Sequence, residues 1–289
     1  MKTQQLKNNA DLNWRIYHES QWGLGKALNV KVAWSNYLRL IRFHFHITFI
    51  SVPLGALFIT NGVTVSLIES LFLLYVSFNI LLYGGIYTIN GIADIKSDEK
   101  HPSKRKRPLP SREISVKSAI AFSAVLLASG LSSGLLLFNS SVFYMYLAFL
   151  AVNIFYNLIA REIPYLEIIV NCVTHPLRFL MGVLLVNGKV PYLLLSAIFF
   201  MALGLVGVRR SLEKDVRGWE ARKTLESYSD RRLLLLKLSA CFAILLVMVA
   251  DASISRAFYV ATLTLYLALA FGPDFSSTLR RSLVTVWTR

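Results

Sequence analysis

Cysteine and acidic residues are scarce in this chain. Only two of the 289 residues are cysteines, and Cys172 and Cys241 both lie inside apolar runs. They match no metal-ligand or redox spacing, which argues against a thiolate metal site or a dithiol, and we expect both to be packing residues. Asp and Glu number 16 against 31 Lys and Arg, whereas 55% of the residues are hydrophobic. A soluble domain is usually far less apolar, so the composition favours a membrane protein.

The sequence also shows no signal-peptide pattern at its start and no pattern typical of an interdomain linker. The first 31 residues are polar and mixed, without an apolar stretch of the signal-peptide type, so we expect no cleaved leader and a cytoplasmic start. No stretch rich in Pro or Gly and no shift in composition divides the remainder. We therefore predict a cytoplasmic or interfacial segment, residues 1–42, followed by a single transmembrane domain, residues 43–289.

Apolar runs recur along the chain, each close to the roughly 17 to 25 residues that cross the hydrocarbon layer of a bilayer. They predict an all-α fold, a polytopic transmembrane bundle of eight or nine helices. The patch Leu283–Trp287 decides the number, because it is either a truncated ninth helix or an interfacial segment. The eight predicted spans are Phe43–Thr60, Val65–Ile89, Ala119–Phe138, Val142–Ala160, Tyr165–Val186, Val190–Val208, Leu233–Ala250 and Ala257–Gly272.

The formal charge of +15 first suggests nucleic-acid binding, because basic surfaces attract phosphate backbones. The basic residues, however, cluster in short connections between the apolar runs. With the amino terminus inside, 27 of the 31 Lys and Arg lie on the cytoplasmic side, against Lys189 and Arg256 on the other side. This asymmetry is the positive-inside signal. We predict a multi-pass protein of the cytoplasmic membrane whose partner is the lipid bilayer rather than nucleic acid. Two long polar loops would lie on the cytoplasmic side over a central cavity, and the oligomeric state stays open.

The loop after the second span carries polar residues at a regular spacing. Asn90, Asp94 and Asp98 follow one another at intervals of four, which places all three on one face of a helix. Two carboxylates and an amide oxygen suit Mg²⁺, which usually takes one or two carboxylates together with phosphate oxygens. We predict a Mg²⁺ site with Asn90 as a ligand and with Asp94 and Asp98 as ligands that act in catalysis. The alternative is that both aspartates are solvated loop acids.

Basic and aromatic side chains accompany this loop. Tyr87 lies in a Gly-Gly-x-Tyr-x-x-Asn stretch near the membrane boundary, and Lys104, Arg105 and Arg107 follow the aspartates closely. An anionic ligand held by a metal on one side and by cations on the other would suit this arrangement. We predict that these four side chains, together with Arg42 beside the first span, bind phosphate or substrate.

A second polar loop follows the sixth span. Arg209 leaves the membrane at a boundary where a bidentate donor suits a phosphate, and Arg210 follows it. Glu213 and Asp215 are candidate ligands for the same or a second metal ion, and Tyr228 is a candidate substrate contact. Opposed charges at this spacing are equally typical of ordinary pairing on a helix surface, so both interpretations stay open.

One charged residue lies inside a predicted span. Arg178 follows His175 and Pro176 in the fifth span, where a lipid-facing charge costs about 2.5 kcal/mol or more. It therefore faces the interior. Either it binds substrate in a polar pocket opened by a kink at Pro176, or it pairs with Glu167 or Glu69.

These residues resemble the UbiA superfamily of intramembrane prenyltransferases. The signature of that superfamily after the second helix is Asn-Asp-x-x-Asp-x-x-x-Asp, and Asn90-Gly91-Ile-Ala-Asp94-Ile-Lys-Ser-Asp98 matches three of its four polar positions. The resemblance runs from about Tyr37 to Leu236. Its nearest branch is that of the decaprenyl-phosphate phosphoribosyltransferases, to which four segments are similar: 98–108, 176–182, 207–210 and 225–229.

The resemblance implies a transferase that acts on an isoprenoid phosphate or diphosphate, with Mg²⁺ on the first loop supporting the departure of diphosphate. Members that prenylate aromatic acceptors carry a second motif, Asp-x-x-x-Asp, where this chain has Glu213 and Asp215. That difference agrees with the phosphoribosyl branch, in which a polyprenyl phosphate oxygen attacks the anomeric carbon of phosphoribosyl diphosphate. The alternatives are prenyl transfer to an aromatic or lipid acceptor, terpene cyclisation and, from another class, a membrane transporter.

Overall fold

The computed structural model describes residues 34–60, 62–101, 103–214, 223–252, 254 and 256–287, and within them every regular element is helical. Eight helices are long and apolar enough to cross a membrane, so the predicted all-α bundle is confirmed. We number these helices in chain order: α1 Trp34–Ile59, α2 Val65–Ala93, α3 Val116–Leu137, α4 Ser140–Leu158, α5 Leu166–Leu185, α6 Tyr192–Glu213, α7 Asp230–Ala250 and α8 Arg256–Phe275.

The first span begins earlier than predicted and is broken. The chain is helical over 34–41, turns into the left-handed region at Arg42 with φ 57° and ψ 55°, and continues as a 3₁₀-helix over Phe43–Ile50. Ser35, Asn36 and Arg39 make the first part too polar to register as an apolar run, although it extends the same helix. The break coincides with the predicted boundary at residue 42, and the division into two parts itself stays a prediction.

The middle of α2 changes helix type. Tyr75–Leu82 is a π-helix, with α-helix on both sides. Phe78 lies in this segment, and its ring packs against Tyr146 and Phe149 of α4 at centroid distances of 5.2 and 4.9 Å. This aromatic core holds α2 against α4 and so brings the polar ends of the two helices together.

Two glycines let α1 and α5 approach closely. A Cβ atom on Gly182 would lie 1.8 Å from the carbonyl oxygen of Val52, and one on Gly55 would lie 2.0 Å from that of Phe179. A backbone oxygen in a packed helix cannot move aside as a flexible side chain can, so only glycine fits both positions.

We expect Gly182→Ala to lower the free energy of unfolding by about 1–3 kcal/mol, because α1 and α5 must separate to make room for the methyl group. Unfolding of the purified protein in mixed detergent micelles measures this. Gly62→Ala is the matched control, since a Cβ there meets nothing within 4 Å. Equal stability of the two variants would contradict the close backbone contact.

A short helix, α9, follows the last span over Ser277–Trp287. Its 11 residues rise about 16 Å, roughly half of the hydrocarbon thickness, so it does not span the bilayer. Leu283 and Val284 pack against the cluster formed by α6, α7 and α8. The predicted patch Leu283–Trp287 is therefore the end of a short, non-spanning helix.

Both polar loops lie at the same end of the bundle. Asp98 and Arg107 of the first loop, and Glu213 and Thr224 at the second, border one cavity. The predicted arrangement of two polar loops over a central cavity is confirmed.

Candidate active site

A cavity of about 640 Å³ opens among the polar ends of α1, α2, α4, α5 and α6. It is bordered by acidic, amide and basic side chains together, so it suits an anionic ligand and a cation at once. The predicted site residues that line it are Arg42, Tyr87, Asn90, Asp94, Asp98, Lys104, Arg107, Arg178, Arg209 and Glu213.

The three predicted metal ligands keep one helical register across the end of α2. The Asp94 N–H donates to the Asn90 carbonyl oxygen at 2.9 Å, and the Asp98 N–H donates to the Asp94 carbonyl oxygen at 2.8 Å. Asp98 itself belongs to a short helix, Ile95–Lys100. Because these bonds have helical spacing, residues four apart stay on one face. All three side chains border the cavity as the spacing predicts.

The end of α4 and the 3₁₀ turn that follows it, Ala160–Glu162, supply hydrogen-bond donors to two of these side chains. Asn157 Nδ2 donates to Asn90 Oδ1 at 2.5 Å, and Arg161 Nη2 pairs with Asp94 Oδ1 at 2.7 Å. Asn157 and Arg161 border the same cavity, and the sequence analysis did not single them out. The one available signal was that Arg161 is the only basic residue in the connection after the fourth span.

Asp98 is buried, 4% exposed, and pairs with Arg107 at 2.7 Å. Cations are crowded around it. Burial lowers the pKa of Lys104 below its usual value, with Glu213 opposing and Arg107 adding to the change. Burial also lowers the pKa of His101, and Lys104 lowers it further. An anion bound here would favour the charged form of both side chains.

Arg178 is enclosed by aromatic rings. Its guanidinium carbon lies 4.8 Å from the ring centroid of Tyr83 and 4.7 Å from that of Phe149. The side chain is 2% exposed and still borders the cavity, and its Nη1 donates to the Thr174 carbonyl oxygen at 3.1 Å. Cation–π contacts hold this charge in place, and no carboxylate of the described residues forms an ion pair with it, so the guanidinium is able to face an anion in the cavity.

Arg210 and Tyr228 take part in a buried ion network rather than lining the cavity. Arg210 donates to both carboxylate oxygens of Glu167 at 2.6 Å and to Glu213 at 2.5 Å, and the Tyr228 hydroxyl donates to Glu167 at 2.9 Å. Glu167 is 0% and Arg210 1% exposed. The alternative prediction, a pair of Arg178 with Glu167 or Glu69, is not found among the ion pairs of the described residues, and Glu167 is engaged by Arg210. The network joins α5, α6 and the second loop.

The remaining predicted residues are divided between the cavity and the surface. Arg209 and Glu213 both line the cavity, and Arg209 Nε donates to Glu213 Oε1 at 3.0 Å. Two arginines thus hold the Glu213 carboxylate, which limits it as a metal ligand. Arg105 is exposed and lies away from the cavity lining. Asp215 lies outside the described residues.

Arg42 stands between this cavity and a second one of about 530 Å³, since it borders both. Its guanidinium lies 5.8 Å from the Tyr87 ring centroid. The left-handed backbone at Arg42 is uncommon for a residue with a side chain. This turn breaks α1 at Arg42, and the Arg42 side chain borders both cavities.

The oxygen ligands fit Mg²⁺ better than a softer metal. Asn90, Asp94 and Asp98 offer carboxylate and amide oxygens, the donors that Mg²⁺ prefers. Across the part of the chain that the structure describes, no group of three or more His, Cys, Asp or Glu is placed to hold a metal ion alone. Mg²⁺ commonly completes such a partial set of protein oxygens with phosphate oxygens of a ligand.

Residues 48–287 match the sequence model of the UbiA prenyltransferase family. The chain belongs to the UbiA prenyltransferase family. The predicted resemblance is thereby confirmed, and with it an integral membrane protein.

Individual relatives of this UbiA-family chain match over parts of their length. An uncharacterized protein, y4nM, of Sinorhizobium fredii is 31% identical over 128 residues, which are 43% of this chain and 24% of that protein. Decaprenyl-phosphate phosphoribosyltransferase of Mycobacterium tuberculosis is 28% identical over 193 residues, 64% of this chain and 62% of that enzyme. The match thus spans about a quarter of the first relative and less than two thirds of the second.

A solved structure shares the fold over most of the chain. It is that of a UbiA homolog from Archaeoglobus fulgidus bound to GPP and Mg²⁺, with a TM-score of 0.70 at 18% identity. The alignment covers 88% of this chain and 95% of that one. The common fold places the described helices in the arrangement of a UbiA-type bundle.

Proposed function

We propose that this protein transfers a group to or from an isoprenoid phosphate or diphosphate, with Mg²⁺ assisting the departure of diphosphate. The observation that carries the proposal is the single cavity bordered by the first-loop carboxylates and by basic residues of both loops. Asn90, Asp94 and Asp98 would hold the ion, which when bound neutralises charge on the leaving diphosphate.

The chain's own residues supply the rest of the electrostatic stabilisation. As the bond to the leaving group breaks, negative charge accumulates on the diphosphate oxygens. Lys104, Arg107, Arg178 and Arg209 border the cavity with N–H donors that are already in place. Donors fixed before the reaction stabilise such charge without reorganisation, and partial burial strengthens each contact. No covalent nucleophile is needed, because an acceptor oxygen attacks the carbon directly.

Within this class we infer phosphoribosyl transfer, from phosphoribosyl diphosphate to a polyprenyl phosphate. The cavity is lined by eight Lys and Arg against four Asp and Glu, a surplus that suits two phosphorylated substrates better than one. Arg209 and Arg210 hold Glu213, so the second loop favours anion binding over a second metal ion. The M. tuberculosis relative is named for this reaction.

A second candidate is prenyl transfer from a prenyl diphosphate to an aromatic or lipid acceptor. Its support is the A. fulgidus homolog of the same fold, which was solved with GPP and Mg²⁺. The transporter alternative loses its support, because the matching family is one of prenyltransferases.

We also infer that the bundle lies in the cytoplasmic membrane with the cavity on the cytoplasmic side. The support is the positive-inside distribution of the loops that border the cavity. The isoprenoid chain would then reach the cavity from the bilayer, between helices.

Incubation of the purified full-length protein with phosphoribosyl diphosphate, polyprenyl phosphate and Mg²⁺ should consume both substrates and release pyrophosphate. We expect turnover to stop when EDTA removes the metal and to return with added Mg²⁺, because the diphosphate then regains its counter-charge. Mass spectrometry of the lipid product and a pyrophosphate assay provide the measurement.

A parallel incubation with a prenyl diphosphate and an aromatic acceptor separates the candidates. If the prenyl diphosphate were consumed and the phosphoribosyl diphosphate were not, prenyl transfer would replace phosphoribosyl transfer as the proposed reaction. Metal-independent turnover of either donor would overturn the Mg²⁺ assignment.

A further inference from the structure

Three hydrogen-bond donors lie against the three side chains assigned to Mg²⁺. Two of them, Asn157 and Arg161, are four residues apart, at the end of α4 and in the 3₁₀ turn that follows it, and they meet Asn90 and Asp94, which are also four residues apart. The two polar residues at one helix end thus pair one to one with the two at the other. The third donor, Arg107, pairs with the third ligand but comes from the same loop, nine residues away.

The pair of Arg161 with Asp94 occupies one of the two carboxylate oxygens that a metal could use. Arg161 Nη2 lies 2.7 Å from Asp94 Oδ1, and the two side chains are only 18% and 29% exposed. A divalent cation on that carboxylate would stand a few ångströms from a guanidinium, where like charges repel strongly in a partly buried site. The arginine and the metal therefore compete for Asp94.

Arg161 has other partners within reach when it leaves Asp94. It borders the cavity, where a guanidinium can bind phosphate oxygens with two parallel hydrogen bonds. Its Nε already pairs with Glu162 at 3.3 Å, which keeps the side chain near the cavity. A ligand that brings phosphate oxygens thus gives the displaced guanidinium a new acceptor.

We propose that Arg161 is a switching ligand of the site, which exchanges Asp94 for the diphosphate when metal and diphosphate bind together. This exchange rests on the proposed function and deepens it. It opposes binding of the divalent ion alone and favours binding of the ion with diphosphate. Binding of the divalent ion and binding of diphosphate are then coupled, so the site binds the metal–diphosphate complex more tightly than it binds either one alone.

The test measures binding, with Mn²⁺ as a spectroscopic probe for Mg²⁺ and inorganic pyrophosphate as the anion. In Arg161→Gln, the affinity for Mn²⁺ alone should rise about fivefold, because the competing charge is gone. The affinity for pyrophosphate in the presence of Mg²⁺ should fall about tenfold, because a charged donor is lost. Electron paramagnetic resonance of free Mn²⁺ and calorimetry of pyrophosphate binding report the two constants.

Matched variants separate this coupling from damage to the fold. Arg231→Gln removes an exposed arginine outside the cavity and should leave both constants unchanged. Arg161→Lys keeps the charge but offers a single point of contact, so it should keep weak Mn²⁺ binding and lose part of the pyrophosphate affinity. A merely structural role of Arg161 would lower both affinities in Arg161→Gln, which overturns the exchange.

Asp94→Asn distinguishes failure of the exchange from failure of the proposed function. If Mn²⁺ binding depends on Asp94 but Arg161→Gln does not move the two affinities in opposite directions, the exchange is overturned and the metal site stands. If the unaltered protein and Asp94→Asn bound Mn²⁺ with the same affinity, with or without pyrophosphate, both the exchange and the proposed metal site would be overturned.

Discussion

The double variant Asp94→Asn, Asp98→Asn should lose turnover by about a thousandfold and remain folded. Asparagine keeps the size of the side chain and can still accept hydrogen bonds from Arg161 and Arg107, which pair with these aspartates at 2.7 Å each. It lacks the negative charge that attracts Mg²⁺, so the leaving diphosphate would lose its main counter-charge. Initial rates of pyrophosphate release at saturating substrate measure the loss.

Glu99→Gln is the matched control for that variant. Glu99 is next to Asp98 and carries the same charge, but it is exposed and does not line the cavity. Its replacement should leave the rate within about twofold, since exposed charges contribute little. Full activity of the double aspartate variant would reject the metal assignment. A large loss of thermal stability in that variant would mean that the aspartates stabilise the fold rather than take part in the reaction.

Glu167→Ala should destabilise the protein by about 3 kcal/mol, the second large effect we expect. Glu167 accepts two hydrogen bonds from Arg210 and one from Tyr228 at a buried position. Without Glu167 the guanidinium of Arg210 keeps only part of its counter-charge, and a buried charge without full compensation is costly. The midpoint of thermal unfolding in detergent, followed by intrinsic fluorescence, measures the loss.

Two further variants calibrate this effect. Tyr228→Phe removes two hydrogen bonds of the hydroxyl, the one donated to Glu167 and the one accepted from the Tyr165 N–H, and should cost about 1–2 kcal/mol. Glu226→Gln changes an exposed acid on the same segment and should leave stability unchanged. If Glu167→Ala unfolded at the same temperature as Glu226→Gln, the network would not hold α5, α6 and the second loop together.

The bundle was predictable because insertion into lipid depends on local apolar length. A run of about 20 apolar residues is favourable in the hydrocarbon layer whatever surrounds it in the fold, so each span can be located by itself. The exception was the first part of α1, where Ser35, Asn36 and Arg39 lower the apolar content of 34–41. The orientation follows from loop charge and stays a prediction.

The candidate site was predictable only where its residues are close in sequence. Asn90, Asp94 and Asp98 share one helical register, so their spacing of four was enough to place them on one face. Their partners could not be read in this way. Asn157 meets Asn90 from 67 positions away, and Arg210 meets Glu167 from 43 positions away.

Apolar length, loop charge and the spacing of the first loop by themselves determined a helical membrane bundle with a likeness to one family and an oxygen-rich loop at one end. The tertiary structure alone decided which charged side chains face the cavity and which form ion pairs with one another. It placed Arg178 among aromatic rings, engaged Arg210 with Glu167, and brought Arg161 to Asp94. The physical reason is range: apolar length and helical spacing act within a few turns of chain, whereas an ion pair forms wherever packing brings two distant helix ends together.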